Sequence, residues 1–306
     1  MEGLPVVVGV DGSDSALLAV DWAVDESIRR SVPLRLVFAS LWERYEGLLP
    51  SLSTARPTGQ ALAEHIVATA AERARRRAPE ADAEAKVGTE IVHEEPAAAL
   101  RAAGRNASVL VTGARGRGQI AGLLLGSVSL ALAATADCPV VVVRGEEAAV
   151  RGEFRRVTLA VGEAAAVGEP AVGELEEGAP VRFAFAEAAA RGAELHAVRA
   201  WRCPAHEMVD HPLLAGEPAA AHRERARNTV DNALRAPAAR HPEVAVRREA
   251  LEGPARKVLL DAAAEADLLV VGAHRRQGHL GLQLGTVTHT LLHHAPCPVA
   301  VVPEHI

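Results

Sequence analysis

The chain has 306 residues, with 33 Lys and Arg against 39 Asp and Glu, for a formal charge of -6. At about 150 residues per domain this length suggests two domains, each able to bury its own core. With no basic excess, nonspecific binding to nucleic acid or to an anionic membrane surface is not expected, and 49% hydrophobic with 24% charged residues excludes a disordered chain. Three Trp, one Tyr and four Phe leave the core to alanine, valine and leucine, so its elements must approach closely.

From the N-terminus, Pro5–Val10 (PVVVGV) reads as a strand and Ser15–Arg30 as a helix, with Asp14 or Ser15 as its cap. Leu34–Ala39 is the second strand, Thr58–Ala78 a helix and Lys86–Val92 the third strand. Pro96–Ala103 follows as a helix opened by proline, then the strand Val109–Gly113. Ser127–Ala136, with Ser127 as its cap, is the last helix before the strand Pro139–Val143. Runs such as VVVGV and VVVV are apolar on both faces, the pattern of a parallel sheet covered by helices on each side. Strand–helix alternation then gives a doubly wound α/β domain with right-handed crossovers.

The plan occurs twice. Ala107–Val143 aligns without gaps on Ala266–Val302 at an offset of 159, with 18 of 37 positions identical, and Val20–Ala39 echoes Val181–Ala200 more weakly. Strands of the second copy are expected near 156–161, 194–200, 244–251, 267–272 and 298–302. The polar stretch Arg144–Arg156 reads as a linker plus the start of a strand, giving domains at 1–146 and 153–306. The uncharged last strands PVVVV and PVAVV pose an edge problem. Either they pair as an intrachain pseudo-dimer, an edge that would also serve a homodimer, or each is central in its own sheet.

Cys138, Cys203 and Cys297 form no C-x-x-C, so neither a disulfide framework nor a zinc site is indicated. The first residues lack a basic n-region, and no run approaches the roughly 20 apolar residues of a membrane span. A soluble, cytoplasmic protein without membrane contact is expected. His289 and His293 stand at helical spacing without a third metal ligand, and read as a solvated face, as do His274 and His279. Trp22 and Phe183, in equivalent places, read as core; Trp42 and Trp201 cover apolar surface.

Ligands of open α/β sheets bind beyond the carboxyl ends of the strands. Asp11 follows the first strand and Ala39 ends the second. After the fourth come Gly113, Arg115, Gly116 and Arg117, then Gly126 and Ser127 at a helix start. The glycines admit close backbone approach. The helix start offers N–H groups to an anion, Ser127 and Ser129 add hydroxyls, and Arg115 and Arg117 add charge. Asp11 suits an adenine amino group or a ribose hydroxyl. Together these residues describe a nucleotide site, although each alone is also a common structural feature. Neither a Walker loop nor G-x-G-x-x-G after a strand occurs.

The string GARGRGQIAGLLLGS (113–127) fits the G-x2-G-x9-G-[ST] signature of the ATP-binding universal stress proteins, and VVVGVDGS, VLVTG and ADCPVVVV are similar to segments of that family. The chain thus resembles a tandem universal stress protein. The resemblance implies two domains of the adenine nucleotide alpha hydrolase-like fold, each with a five-stranded parallel sheet, and pairing through the last strands. It also implies a nucleotide-binding stress-response function, with ATP, ADP or AMP as ligand. Asp11 and the Ala39 backbone would lie at the base, with Gly113, Gly116, Gly126, Ser127 and the Val128 backbone at ribose and phosphates. Mg²⁺ with the phosphates is compatible but marked by no ligand cluster, and no catalytic residue is assigned. A slow ATPase and a nucleotide-free interaction protein stand as alternatives.

The second copy departs from the signature. Its loop reads Gly272-Ala-His-Arg275, with Arg275 in place of a glycine, then Gly285-Thr286; Val161-Gly162-Glu163 replaces Val10-Asp11-Gly12. Residues 162–178 carry five glutamates, Glu163, Glu169, Glu174, Glu176 and Glu177, and no basic side chain. One nucleotide per chain, held by the first domain, is expected.

Overall fold

A computed structural model describes residues 3–41, 59–78, 87–116, 125–162, 178–203, 217–273 and 284–304. The chain divides into two compact units, the first running to Arg144 and the second starting at Gly145. In the first, β1 (Val6–Gly9), α1 (Asp14–Arg30), β2 (Leu34–Ala39), α2 (Gly59–Arg77), β3 (Val87–Val92), α3 (Pro96–Gly104), β4 (Val109–Gly113), α4 (Ser127–Thr135) and β5 (Val140–Val143) alternate as expected. The second holds α5 (Glu147–Arg151), β6 (Arg156–Ala160), α6 (Ala179–Arg191), β7 (Glu194–Trp201), α7 (Glu217–Arg240), β8 (Val246–Glu252), α8 (Ala255–Ala263), β9 (Leu268–Ala273), α9 (Thr286–His294) and β10 (Val299–Pro303).

Within the first unit the strand order is β3-β2-β1-β4-β5, and within the second it is β8-β7-β6-β9-β10, with parallel pairing throughout each set. Val6, Val7 and Val8 of β1 and Val109, Leu110 and Val111 of β4 have no exposed surface, as strands covered on both faces require. Alanines 19, 23, 70, 71 and 74 let the helices come close without aromatic bulk. Along α1 and α2, Arg73 and Arg77 grip Asp21 and Asp25 through paired bonds of 2.6 to 2.7 Å. Trp22 and Phe183 are buried in core positions.

One stretch differs from its reading. The expected linker Arg144–Arg156 contains α5, whose Ala149 is buried and whose end is capped by Gly152 in the left-handed region at φ 77°. Five residues are too few for hydrophobic periodicity to register, so the helix was hidden in a polar sequence.

The outer strand pairs carry an equivalent cross-strand polar pair in each unit. Arg35 on β2 binds Glu90 on β3, and His196 on β7 meets Glu249 on β8 at 3.0 Å through Nε2. The two differ in burial, since the Arg35 side chain is 36% exposed and that of His196 only 6%. Burial lowers the His196 pKa, with Arg247 and Arg156 adding to that effect against Glu249. The folded state therefore resists a proton that the unfolded chain accepts near pH 6.5. Stability attached to this residue is complete above pH 6.5 and is lost as pH falls from there toward the depressed folded value. Urea titrations of wild type and His196→Gln between pH 5 and 8 are expected to differ in slope. The variant is flatter below pH 6.5, by at most about 1.4 kcal/mol per pH unit for one proton.

Candidate functional site

In the first unit β2 and β3 lie on one side of β1, and β5 lies on the far side of β4. The strand order reverses between β1 and β4, which opens a crevice beyond their carboxyl ends. Asp11 leaves β1 there, and its Oδ1 accepts both the N–H of Ser13 at 2.9 Å and the Ser13 hydroxyl at 2.7 Å. This turn holds Ser13 in extended geometry, at φ -81° and ψ 156°, and makes it the cap of α1. Its oxygen accepts from the Ala16 N–H at 3.2 Å. Asp14 and Ser15, the expected caps, are instead the first helical residues, because the Asp11 carboxylate fixes the start one residue earlier.

The glycine loop comes to the same place. Gly116 lies so near Asp11 that a Cβ on it would be 2.8 Å from Asp11 Oδ2, and one on Gly113 would be 2.5 Å from the Ser15 carbonyl oxygen. Here the missing side chains permit the approach of loop, β1 and α1. The Arg115 N–H donates to Ser15 Oγ at 3.1 Å, while the Arg115 side chain is exposed. The Gly126 N–H donates to the Ala114 carbonyl at 2.7 Å, closing the base of the loop.

That bond also explains the start of α4. Gly126, at φ -72° and ψ 147°, occupies the cap, and with no side chain it makes no cap bond to the first turn. Ser127, expected as the cap, is the first helical residue and exposed, with Val128 half-buried behind it. Ser129 is buried, and its hydroxyl donates to the Gly113 carbonyl at 2.8 Å, so it ties the loop to α4. Ala39 ends β2, where Gly9 of β1 stands opposite Val37, so it lies at the level of Asp11. Arg117 falls outside the described residues. Two residues beyond the expected set, Ser13 and Ser15, join the cluster. Their signal was two serines at alternate positions directly after Asp11.

At the crevice an acceptor therefore stands near amide donors. Asp11 supplies the carboxylate; the first turn of α4 supplies N–H groups and the positive end of a helix dipole. Among the described residues no group of three or more His, Cys, Asp and Glu side chains could hold a metal ion. His289 and His294 are exposed on α9, with His293 half-buried and its ring centroid 4.5 Å from that of His289.

The second unit is built differently at the equivalent end. Arg199 on β7 donates to the Val161 carbonyl at 3.3 Å, just beyond β6. A Cβ on Gly272 would be 3.2 Å from Pro180 Cγ and 3.3 Å from Glu304 Oε1. Proline and a carboxylate thus border the counterpart of Gly113. Arg275, His274, His279, Trp42 and the five glutamates of 163–177 lie outside the described residues. A shallow hollow of about 450 Å³ elsewhere on this unit includes Arg156, Arg247, Glu249 and Glu265 in its walls. Their charges are spent on one another, and it does not border the β1–β4 crevice.

Cys138 and Cys297 precede the last strands and are buried, whereas Cys203 is partly exposed. Burial pushes the Cys138 thiol up to about 11, which suppresses its thiolate at neutral pH. A maleimide at pH 7 is expected to label Cys203 in the native protein and Cys138 only after unfolding, as peptide mass mapping would read. Among the described residues no helix is long and apolar enough to cross a membrane.

The family model described as the universal stress protein family matches residues 4–144 and 171–303. A universal stress protein of Mycobacterium tuberculosis is 33% identical over 305 residues, covering 98% of this chain and 97% of its own. The crystal structure of a universal stress protein from Archaeoglobus fulgidus shares the fold at a TM-score of 0.59 and 18% identity, covering 99% of this chain and 100% of its own. A shorter universal stress protein, solved in complex with cAMP, is 29% identical with a TM-score of 0.34, covering 47% of this chain and 98% of its own. With both repeats matched and a relative aligned over nearly its full length, this chain belongs to the universal stress protein family.

Proposed function

We propose that the first unit binds an adenine nucleotide, ATP or its relatives ADP and AMP. In this reading the chain serves a cytoplasmic stress response through nucleotide-dependent conformation or partner contact, not through turnover. The observation that carries it is the convergence of Asp11, Gly116 and the uncapped start of α4 at the strand-order reversal. Asp11 and the Ala39 backbone would meet the base or ribose. The amides of Ser127 and Val128, the Ser127 hydroxyl and the Arg115 charge would meet the phosphates. Arg117 belongs to the same set by its place in the motif.

The residues fit such a ligand. At Gly126 a Cβ would be in ordinary contact with Ala114 O at 3.6 Å and Gly116 N at 3.7 Å, so the glycine brings the loop backbone against the start of α4. The Ser129 hydroxyl, given to Gly113, would leave only its N–H for the phosphates. Mg²⁺ would be carried by the phosphates. In the second unit Pro180 and Glu304, with Arg275 in the motif, disfavour the same ligand, so one nucleotide per chain is expected.

Calorimetric titration with ATP, ADP, AMP and adenosine tests this reading. Saturable binding near one site per chain, tighter with phosphates, supports it, and flat titrations at millimolar ligand would leave an interaction protein. Phosphate release above the background of Gly126→Asp would favour a slow ATPase.

A further inference from the structure

The signature names glycines, but glycines alone hold no conformation; something must fix the loop between β4 and α4. Beside the backbone bond from Gly126 to Ala114, hydroxyls of two helix starts tie it down. Ser129 on α4 donates to the Gly113 carbonyl at 2.8 Å, and Ser15 on α1 accepts from the Arg115 N–H at 3.1 Å. Ser13 Oγ stands 3.3 Å from the Arg115 carbonyl and 2.7 Å from Asp11 Oδ1. Its single proton goes to the nearer, charged acceptor. The direct hydrogen-bond tie from α1 to the Arg115 amide is therefore Ser15, and Arg115 immediately precedes Gly116, the residue that abuts Asp11.

The second unit offers a contrast within the same chain. Where Ser15 crowds Gly113, Pro180 crowds Gly272, with its Cγ 3.2 Å from the position of a Cβ. The proline ring carries no oxygen, so its side chain has nothing with which to accept a loop N–H. Ser129, in turn, has a hydroxyl-bearing counterpart in Thr288, which is also buried. Beside Gly272 the second unit thus presents a ring without an acceptor, while Thr288 keeps the hydroxyl of Ser129.

We propose that Ser15 is a positioning residue for the nucleotide site: by holding the Arg115 amide it sets Gly116 and the start of the loop in the ligand-ready arrangement. This rests on the reading of the first unit as a nucleotide site. Ser15 itself need not touch the ligand; it acts through the loop backbone.

Two measurements on the full chain test it, using Ser15→Ala and the hydroxyl-retaining Ser15→Thr. Amide hydrogen exchange without ligand reads the bond directly. In Ser15→Ala the Arg115 amide is expected to exchange about tenfold faster, matching a hydrogen bond of about 1.4 kcal/mol. The Gly126 amide, bonded to Ala114, stays protected. Titration reads the consequence: ATP affinity falls about three- to tenfold in Ser15→Ala. Adenosine affinity changes less, and Ser15→Thr restores both readouts.

Unchanged Arg115 exchange overturns the proposal. So does an ATP affinity equal to wild type, or an equal loss for ATP and adenosine, which would indicate general loosening. If wild type binds no ATP, the nucleotide reading fails and this proposal falls with it. If wild type binds and Ser15→Ala binds equally well, only the positioning role falls.

Discussion

Gly126→Asp is expected to lower ATP affinity at least 100-fold while leaving the fold as stable as wild type or slightly more so. The two effects have one cause. Gly126 has the extended geometry of a helix cap, and a Cβ there would meet only Ala114 O, Gly116 N and Arg115 Cα, at 3.6 to 3.9 Å. Aspartate is among the best caps, and replacing glycine should add a few tenths of a kcal/mol. Its carboxylate would then accept from the N–H of Val128 or Ser129, the donors proposed for phosphate, and would place a negative charge against the ligand. Losing those bonds and adding repulsion amounts to about 3 kcal/mol, or 100-fold. Titration with ATP alongside a thermal melt reads both. A melting midpoint at or above wild type with near-normal ATP affinity would mean that the phosphates do not lie at α4.

Gly145→Ala is expected to cost about 2 to 5 kcal/mol, the largest stability loss among these substitutions. Gly145 has φ 91°, and a Cβ would sit 2.1 Å from the Pro296 carbonyl oxygen and 2.5 Å from the Cys297 nitrogen. Positive φ costs an L-residue about 1 to 2 kcal/mol, and overpacking adds typically 1 to 3. The neighbouring bond from the Glu146 N–H to the same carbonyl, at 2.8 Å, leaves that oxygen little freedom to retreat. Gly152 is the internal control, since its φ is 77° but nothing lies within 4 Å of an added Cβ. Gly152→Ala should lose only the conformational part, about 1 to 2 kcal/mol. Urea midpoints for both variants separate crowding from backbone strain; equal losses would refute the crowding account.

Much of the fold was legible because several of its strands are apolar runs rich in valine. VVVG, VLVTG and VVVV of β1, β4 and β5 declare a sheet buried on both faces, and the glycines after β4 mark the end at which the site is proposed. The repeat made the second unit readable from the first. Helix starts were less so: Ser13, not Asp14 or Ser15, caps α1, and Gly126, not Ser127, caps α4. The first comes from the short turn in which Asp11 binds Ser13, the second from a bond across the loop to Ala114 that the local pattern does not contain. The same holds for Pro180 and Glu304 beside Gly272, and for Arg199 on the Val161 carbonyl. These neighbours are far apart in sequence, so the altered second crevice showed only through its motif departures. His196 likewise looks like any strand histidine until packing buries it.

One working nucleotide site is expected per chain, in the first unit. Unfolding the purified protein, separating the released small molecules and counting adenine nucleotide by mass spectrometry tests it most directly, with samples saturated by ATP before unbound ligand is removed. About one nucleotide per chain, absent from Gly126→Asp, is the predicted result. About two per chain, or one that survives Gly126→Asp, would contradict it.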